Sequence, residues 1–145
     1  MALPVPWQIT GQLALEGKSV EVVAEAGRTV NKCMATMGLC TSPCSLPGAS
    51  KQLFNIQEGL VELGVGVHGE AGTRSIPFGP VSTLVEEVVT PVISTLCLKP
   101  GHRVAVLVNN LGGTTKLEQW VIAGAVRKHL GRLMERKDRK KTAKS

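Results

Sequence analysis

LVELGVGVHGEAG, residues 60–72, is the stretch on which the reading of the fold turns. From Leu60 to His68 apolar and non-aliphatic residues alternate. Val61, Leu63, Val65 and Val67 fall on one side, and Glu62, Gly64, Gly66 and His68 on the other. A period of two is the mark of a half-buried β-strand. His68 is therefore expected at a strand end, on the face that the glycines strip of side chains. From the residues alone, a hydrogen-bonded strand-end histidine without a ligand explains it better than a binding group does.

Working outward, the neighbouring segments alternate between helix and strand signals. Trp7–Glu16 reads as a short helix stopped by Gly17. Ser19 is placed to cap a second, with Val20, Val23, Ala24, Val30, Met34 and Met37 at three- and four-residue spacings and Gly38 as its stop. The turn-rich TSPCSLPGAS follows, then a short strand candidate at Leu53–Ile56. Pro80 suits the first turn of a helix carrying Leu84, Val85, Val88, Val89, Val92, Ile93 and Leu96, which Pro91 should kink or end early. After the turn Lys99-Pro100-Gly101, the unbroken run Val104–Val108 reads as a central strand covered on both faces. Thr115-x-x-Glu118 is a capping box opening a last helix through Leu117, Val121, Ile122, Ala125, Val126, Leu130 and Leu133. Helices alternating with strands point to an α/β class, a layered α+β sandwich with a mixed sheet.

Charge divides the chain. Residues 127–145 hold nine Lys and Arg against Glu135 and Asp138, whereas residues 1–126 hold eight basic and nine acidic side chains. The organisation expected is one domain over 1–133, with a core holding roughly two-thirds of the unfolded surface, and a solvated, disordered basic tail over 134–145. Tail charge binds phosphate without specificity and no aromatic lies within it, which disfavours a nucleic-acid partner. No apolar run is long enough to span a bilayer and MALPVPWQ is no secretory signal, so a cytoplasmic protein is expected. Cys33, Cys40, Cys44 and Cys97 fit no zinc-ligand spacing and read as small buried thiols. His102 reads as a turn residue and His129 as a surface one; Asn109 and Asn110 read as turn formers. The only aspartate is Asp138, and NNLGGTTK lacks the glycine–lysine spacing of a phosphate loop, so a self-contained kinase or nuclease is not indicated.

Three segments together resemble a known family. VELGVGVHGEAGTRSI (Val61–Ile76), LKPGHRVAVLVNNLGGT (Leu98–Thr114) and MATMGLCTSPCSLPG (Met34–Gly48) look like the substrate-binding, DhaK-type domain of dihydroxyacetone (glycerone) kinases, a family that in animals includes the enzymes called triokinase/FMN cyclase. The resemblance runs from about Trp7 to Leu133. It implies that His68 forms a covalent hemiaminal with the carbonyl carbon of dihydroxyacetone or glyceraldehyde. That chemistry suits a small ligand. Six heavy atoms at a ceiling of ~1.5 kcal/mol each give limited non-covalent grip, and a neutral imidazole adding to a carbonyl supplies grip and selection together. Gly66 and Gly69 would let the substrate approach; Glu70 reads equally as a group that orients or polarises the ring and as a solvated loop carboxylate.

The resemblance also implies ATP and magnesium held by a separate nucleotide-binding domain, with no cofactor or metal bound by this chain. Parts of the family pattern have no match here: the N-terminal half of the substrate domain, with its Ser- and His-containing loop and its aspartate, and the continuation after Leu133. The chain thus reads as cut short at both ends, the C-terminal part of such a domain. Three functions follow: a subdomain holding a small ketose or aldose; an interaction module, as a homodimer or with a full-length relative; and, least favoured, a basic-tail nucleic-acid binder.

Overall fold

The computed structural model describes residues 4–43, 47–48, 52, 54–66, 68 and 70–142. Cys44, Leu53, Val67 and Gly69 lie outside the described residues. Among the described residues, four helices and one sheet follow in the order α1 (Pro4–Leu15), α2 (Val20–Lys32), β1 (Leu39–Cys40), β2 (Leu60–Leu63), β3 (Arg74–Pro77), α3 (Val81–Thr95) and α4 (Lys116–Thr142). This is the expected α/β class, but the sheet is antiparallel throughout, ordered β1-β2-β3.

The helix signals hold at several ends and fail at others. α1 stops where Gly17 takes a left-handed backbone, φ +72°, a conformation glycine adopts at little cost. It packs on α2 where Gly27 leaves room: a β-carbon there would sit 3.2 Å from Thr10 Cγ2. Ser19 occupies the N-cap position of α2 but makes no side-chain capping bond. α2 ends at Lys32 and not at Gly38. The apolar spacing continues through Met34 and Met37, yet the chain must swing over to lay Leu39 beside Leu63, and Gly38 itself accepts the Gly64 N–H at 2.8 Å. Tertiary pairing overrides the helical period here.

β2 is shorter than its alternating pattern. Val61 and Leu63 are buried as the period requires, at 0% and 1% exposure, but Gly64 turns to φ +78° and ends the ladder. Of the Leu53–Ile56 candidate, residues 54–56 form no strand.

α3 starts directly after Pro80, whose carbonyl accepts from Thr83 and Leu84 at 3.0 and 3.1 Å. Pro91 does not end it; the helix runs on to Thr95. Val85 and Val89 bury against Val126 of α4, with Ile93, Ile122 and Leu130 around them. That packing lies on both sides of Pro91 along the helix and carries it past the lost hydrogen bond. The C-terminus closes as a Schellman motif: Leu98 N–H donates to Ile93 O and Cys97 N–H to Ser94 O, both at 3.1 Å, with Cys97 at φ +49°. The Thr115–Glu118 box opens α4 as expected. Glu118 Oε2 accepts from both the N–H and hydroxyl of Thr115 at 2.7 Å, and the Glu118 N–H donates to Thr115 Oγ1 at 3.3 Å.

The largest departure is Val104–Val108. No described strand pairs with it, and Val104, Val106 and Leu107 are exposed by 45%, 53% and 67%. An apolar β-prone run becomes a strand only through a ladder partner, and neither edge of the β1-β2-β3 sheet supplies one. Burial is correspondingly small. The accessible surface is 11002 Å², against about 7200 Å² for a compact monomer of this mass. α4 extends into the basic segment as far as Thr142. Cys33 and Cys97 are exposed rather than buried thiols, because both sit where a helix ends.

Candidate functional site

The hairpin β2–β3 builds the site. Its register, Leu60↔Pro77 to Leu63↔Arg74, places the glycine-rich segment 64–73 as the connection between two paired strands. Two backbone bonds narrow this loop: Thr73 N–H to Leu63 O at 2.7 Å and Gly66 N–H to Glu70 O at 3.2 Å. The buried Val61 and Leu63 anchor the strand below. His68 therefore lies in a turn beyond the end of β2, not at a strand end, and its side chain is 83% exposed.

Glu70 grips His68 at two points. Its Oε2 accepts the His68 backbone N–H at 2.9 Å, and its Oε1 lies 3.2 Å from ring Nδ1. Hydrogen bonds from its own backbone N–H, then from the backbone N–H and the ring of His68, hold the Glu70 carboxyl below the usual carboxylate range. The room beside Gly66 is taken up by this carboxylate: a β-carbon on Gly66 would stand 2.5 Å from Glu70 Cδ and 2.9 Å from its Cβ. In this loop the space that Gly66 leaves holds Glu70. Composition could not reveal that pairing, although the four-residue reach from 66 to 70 across a tight turn was a signal for it.

Arg74, which the sequence did not single out, begins β3 and donates to Glu87 of α3. The two line an open groove with Glu86, Thr90 and Pro91. The remaining candidates stay apart from this chemistry. His102 Nδ1 accepts the Lys99 N–H at 3.4 Å within its turn. His129 is half-buried rather than a surface residue, with Nε2 3.4 Å from Thr90 Oγ1. Asn110 staples its own turn, Oδ1 accepting from Gly112 N–H at 2.8 Å and Thr114 N–H at 3.3 Å. Among the described residues no three His, Cys, Asp or Glu side chains are grouped to hold a metal ion, and no helix is long and apolar enough to cross a membrane.

Compared with known families, residues 4–140 match the Dak1 domain. The chain belongs to the Dak1 family. Among similar Dak1 relatives, triokinase/FMN cyclase of Rattus norvegicus is 39% identical over 123 residues, covering 81% of this chain and 21% of that protein. The dihydroxyacetone-binding subunit DhaK of PTS-dependent dihydroxyacetone kinase 1 from Listeria innocua is 34% identical, covering 82% of this chain and 36% of that subunit. The fold agrees. The crystal structure of the dihydroxyacetone kinase of C. freundii matches with a TM-score of 0.79 at 26% identity, over 88% of this chain and 23% of that one. The dihydroxyacetone kinase operon co-activator Dha-DhaQ matches at 0.69 and 25% identity, over 90% and 39%. This Dak1 chain thus spans about a fifth to two-fifths of these proteins.

Proposed function

We propose that this chain carries the carbonyl-capturing loop of a dihydroxyacetone-kinase-type substrate-binding domain, with His68 as the covalent nucleophile. The supporting observation is the exposed His68 ring, presented on a narrow hairpin loop and held from one side by Glu70, in a chain of the Dak1 family. In the reaction a ring nitrogen adds to the carbonyl carbon of dihydroxyacetone or glyceraldehyde. The C=O π pair moves to oxygen, which takes a proton, and a hemiaminal results. Glycerol has no carbonyl and is refused. Phosphorylation of the held sugar, with ATP and magnesium, then draws on groups outside this chain, so the isolated chain is a substrate holder and not a kinase. A cytoplasmic location is part of the same proposal. Non-denaturing mass spectrometry tests it: dihydroxyacetone should add one ligand mass and glycerol none. An equal addition of both would refute capture through the carbonyl.

A second reading, an interaction module that pairs with another copy or with a longer Dak1 protein, is favoured by one separate observation. Val106, Leu107, Trp7, Leu117 and Trp120 are all more than half exposed, and exposed apolar side chains that gather into a patch are where partners dock. Sedimentation of the chain with and without a full-length Dak1 protein decides it. A monomer in both cases rejects this reading.

A further inference from the structure

We propose that Gly66 and Glu70 act together as a clamp that sets the tautomer of His68, with the hydrogen on Nδ1 and the nucleophilic lone pair on Nε2. The inference rests on the capture reading above and deepens it.

The contacts of Glu70 favour this tautomer. An ionised carboxylate has acceptors only, and Glu70 turns one oxygen to the His68 backbone N–H and the other to ring Nδ1. A bare nitrogen lone pair facing Oε1 would be repelled, so Nδ1 carries the hydrogen. In a neutral imidazole the other nitrogen then holds the free pair. The bonds that keep Glu70 in place also keep it ionised, which preserves both acceptors. Gly66 enters through space. With any β-carbon at 66 the carboxylate could not lie where it does, and its N–H to the Glu70 carbonyl at 3.2 Å fixes the loop span that brings 70 back over 66. Gly66 is therefore a positioning residue that acts on the ring through Glu70.

The clamp also completes the proton balance of capture. As Nε2 bonds to the carbonyl carbon, Nδ1 releases its proton toward Glu70, and the new alkoxide gains one by way of Glu70 or water. The ring ends neutral, an N–C and an O–H bond have formed, and the C=O π bond and the Nδ1–H bond have broken.

The experiment is nitrogen NMR of protein labelled with ¹⁵N at histidine, in alkaline buffer, for wild type, Glu70→Gln and Gly66→Ala, with His68→Ala to assign the signals. Wild type should show His68 with hydrogen on Nδ1. A glutamine has one carbonyl oxygen and cannot accept from both donors, so Glu70→Gln should shift the ring toward the Nε2–H form that free histidine prefers. Gly66→Ala should do the same by displacing Glu70. A wild-type ring with hydrogen on Nε2, or a tautomer unchanged in Glu70→Gln, overturns the clamp. Should Gly66→Ala fail to fold, the exposed and isosteric Glu70→Gln still decides. Adding dihydroxyacetone to the same samples separates the two claims. The expected tautomers without any adduct would refute capture while leaving the clamp standing.

Discussion

Thr73 closes the mouth of the histidine loop onto Leu63. Its N–H donates to the Leu63 carbonyl at 2.7 Å and its hydroxyl donates to the same oxygen at 3.3 Å. Leu63 is at once the last residue of β2 and one of the most deeply buried side chains, at 1% exposure. The loop that presents His68 is thus tied to the core at Leu63. Leu63→Ala should cost about 3 kcal/mol, the usual loss for a buried leucine, and should broaden the His68 signals in NMR more than those of His129. Unchanged stability would show that the hairpin is not anchored there.

The capping box gives a signed dependence on pH. The Thr115 side chain, then its backbone N–H, holds the Glu118 carboxyl below its ordinary value of 4.5. A carboxyl lowered on folding stabilises the folded state fully above its unfolded value. That contribution is lost as pH falls through the lower, folded value. Thermal unfolding followed by circular dichroism should show an acid-side loss below about pH 4.5 that is smaller in Glu118→Gln. Thr115→Ala should cost about 1 kcal/mol at neutral pH.

Cys97 occupies the left-handed position of the Schellman motif that ends α3, where a β-carbon is crowded. Cys97→Gly should raise stability by about 1 kcal/mol, the strain relieved outweighing the added freedom of the unfolded chain. Denaturant unfolding measures it. A loss of that size would mean that the exposed thiol makes a contact worth more than the strain.

Leu107 is 67% exposed, so Leu107→Lys should leave stability within about 0.5 kcal/mol and reduce self-association in sedimentation. Buried in a central strand, the same lysine would unfold the protein. The two descriptions of Val104–Val108 therefore predict opposite results.

The sequence was legible where structure is decided locally. The Thr115–Glu118 box, the Pro80 start and the Gly17 stop each need only near neighbours, and each stands as read. The alternation at Val61 and Leu63 also held, because one buried face suffices to produce it. Contacts distant in sequence were not legible. α2 stops at Lys32 because Leu39 must reach Leu63, and nothing near Met34 announces that. Pro91 stays within α3 because Val126, far along the chain, packs on Val89. Val104–Val108 has the composition of a central strand without a partner to make it one. At the candidate site His68 and Glu70 were evident from their types, but the occupation of the Gly66 space by Glu70 required the loop's closure to be seen.

The central claim is capture of a carbonyl by His68. The direct measurement is NMR of dihydroxyacetone labelled with ¹³C at its carbonyl carbon, added to protein labelled with ¹⁵N at histidine. The account predicts a protein-bound tetrahedral carbon with a one-bond ¹³C–¹⁵N coupling, absent in His68→Ala. A bound ligand without that coupling, or a coupling that survives His68→Ala, would contradict it.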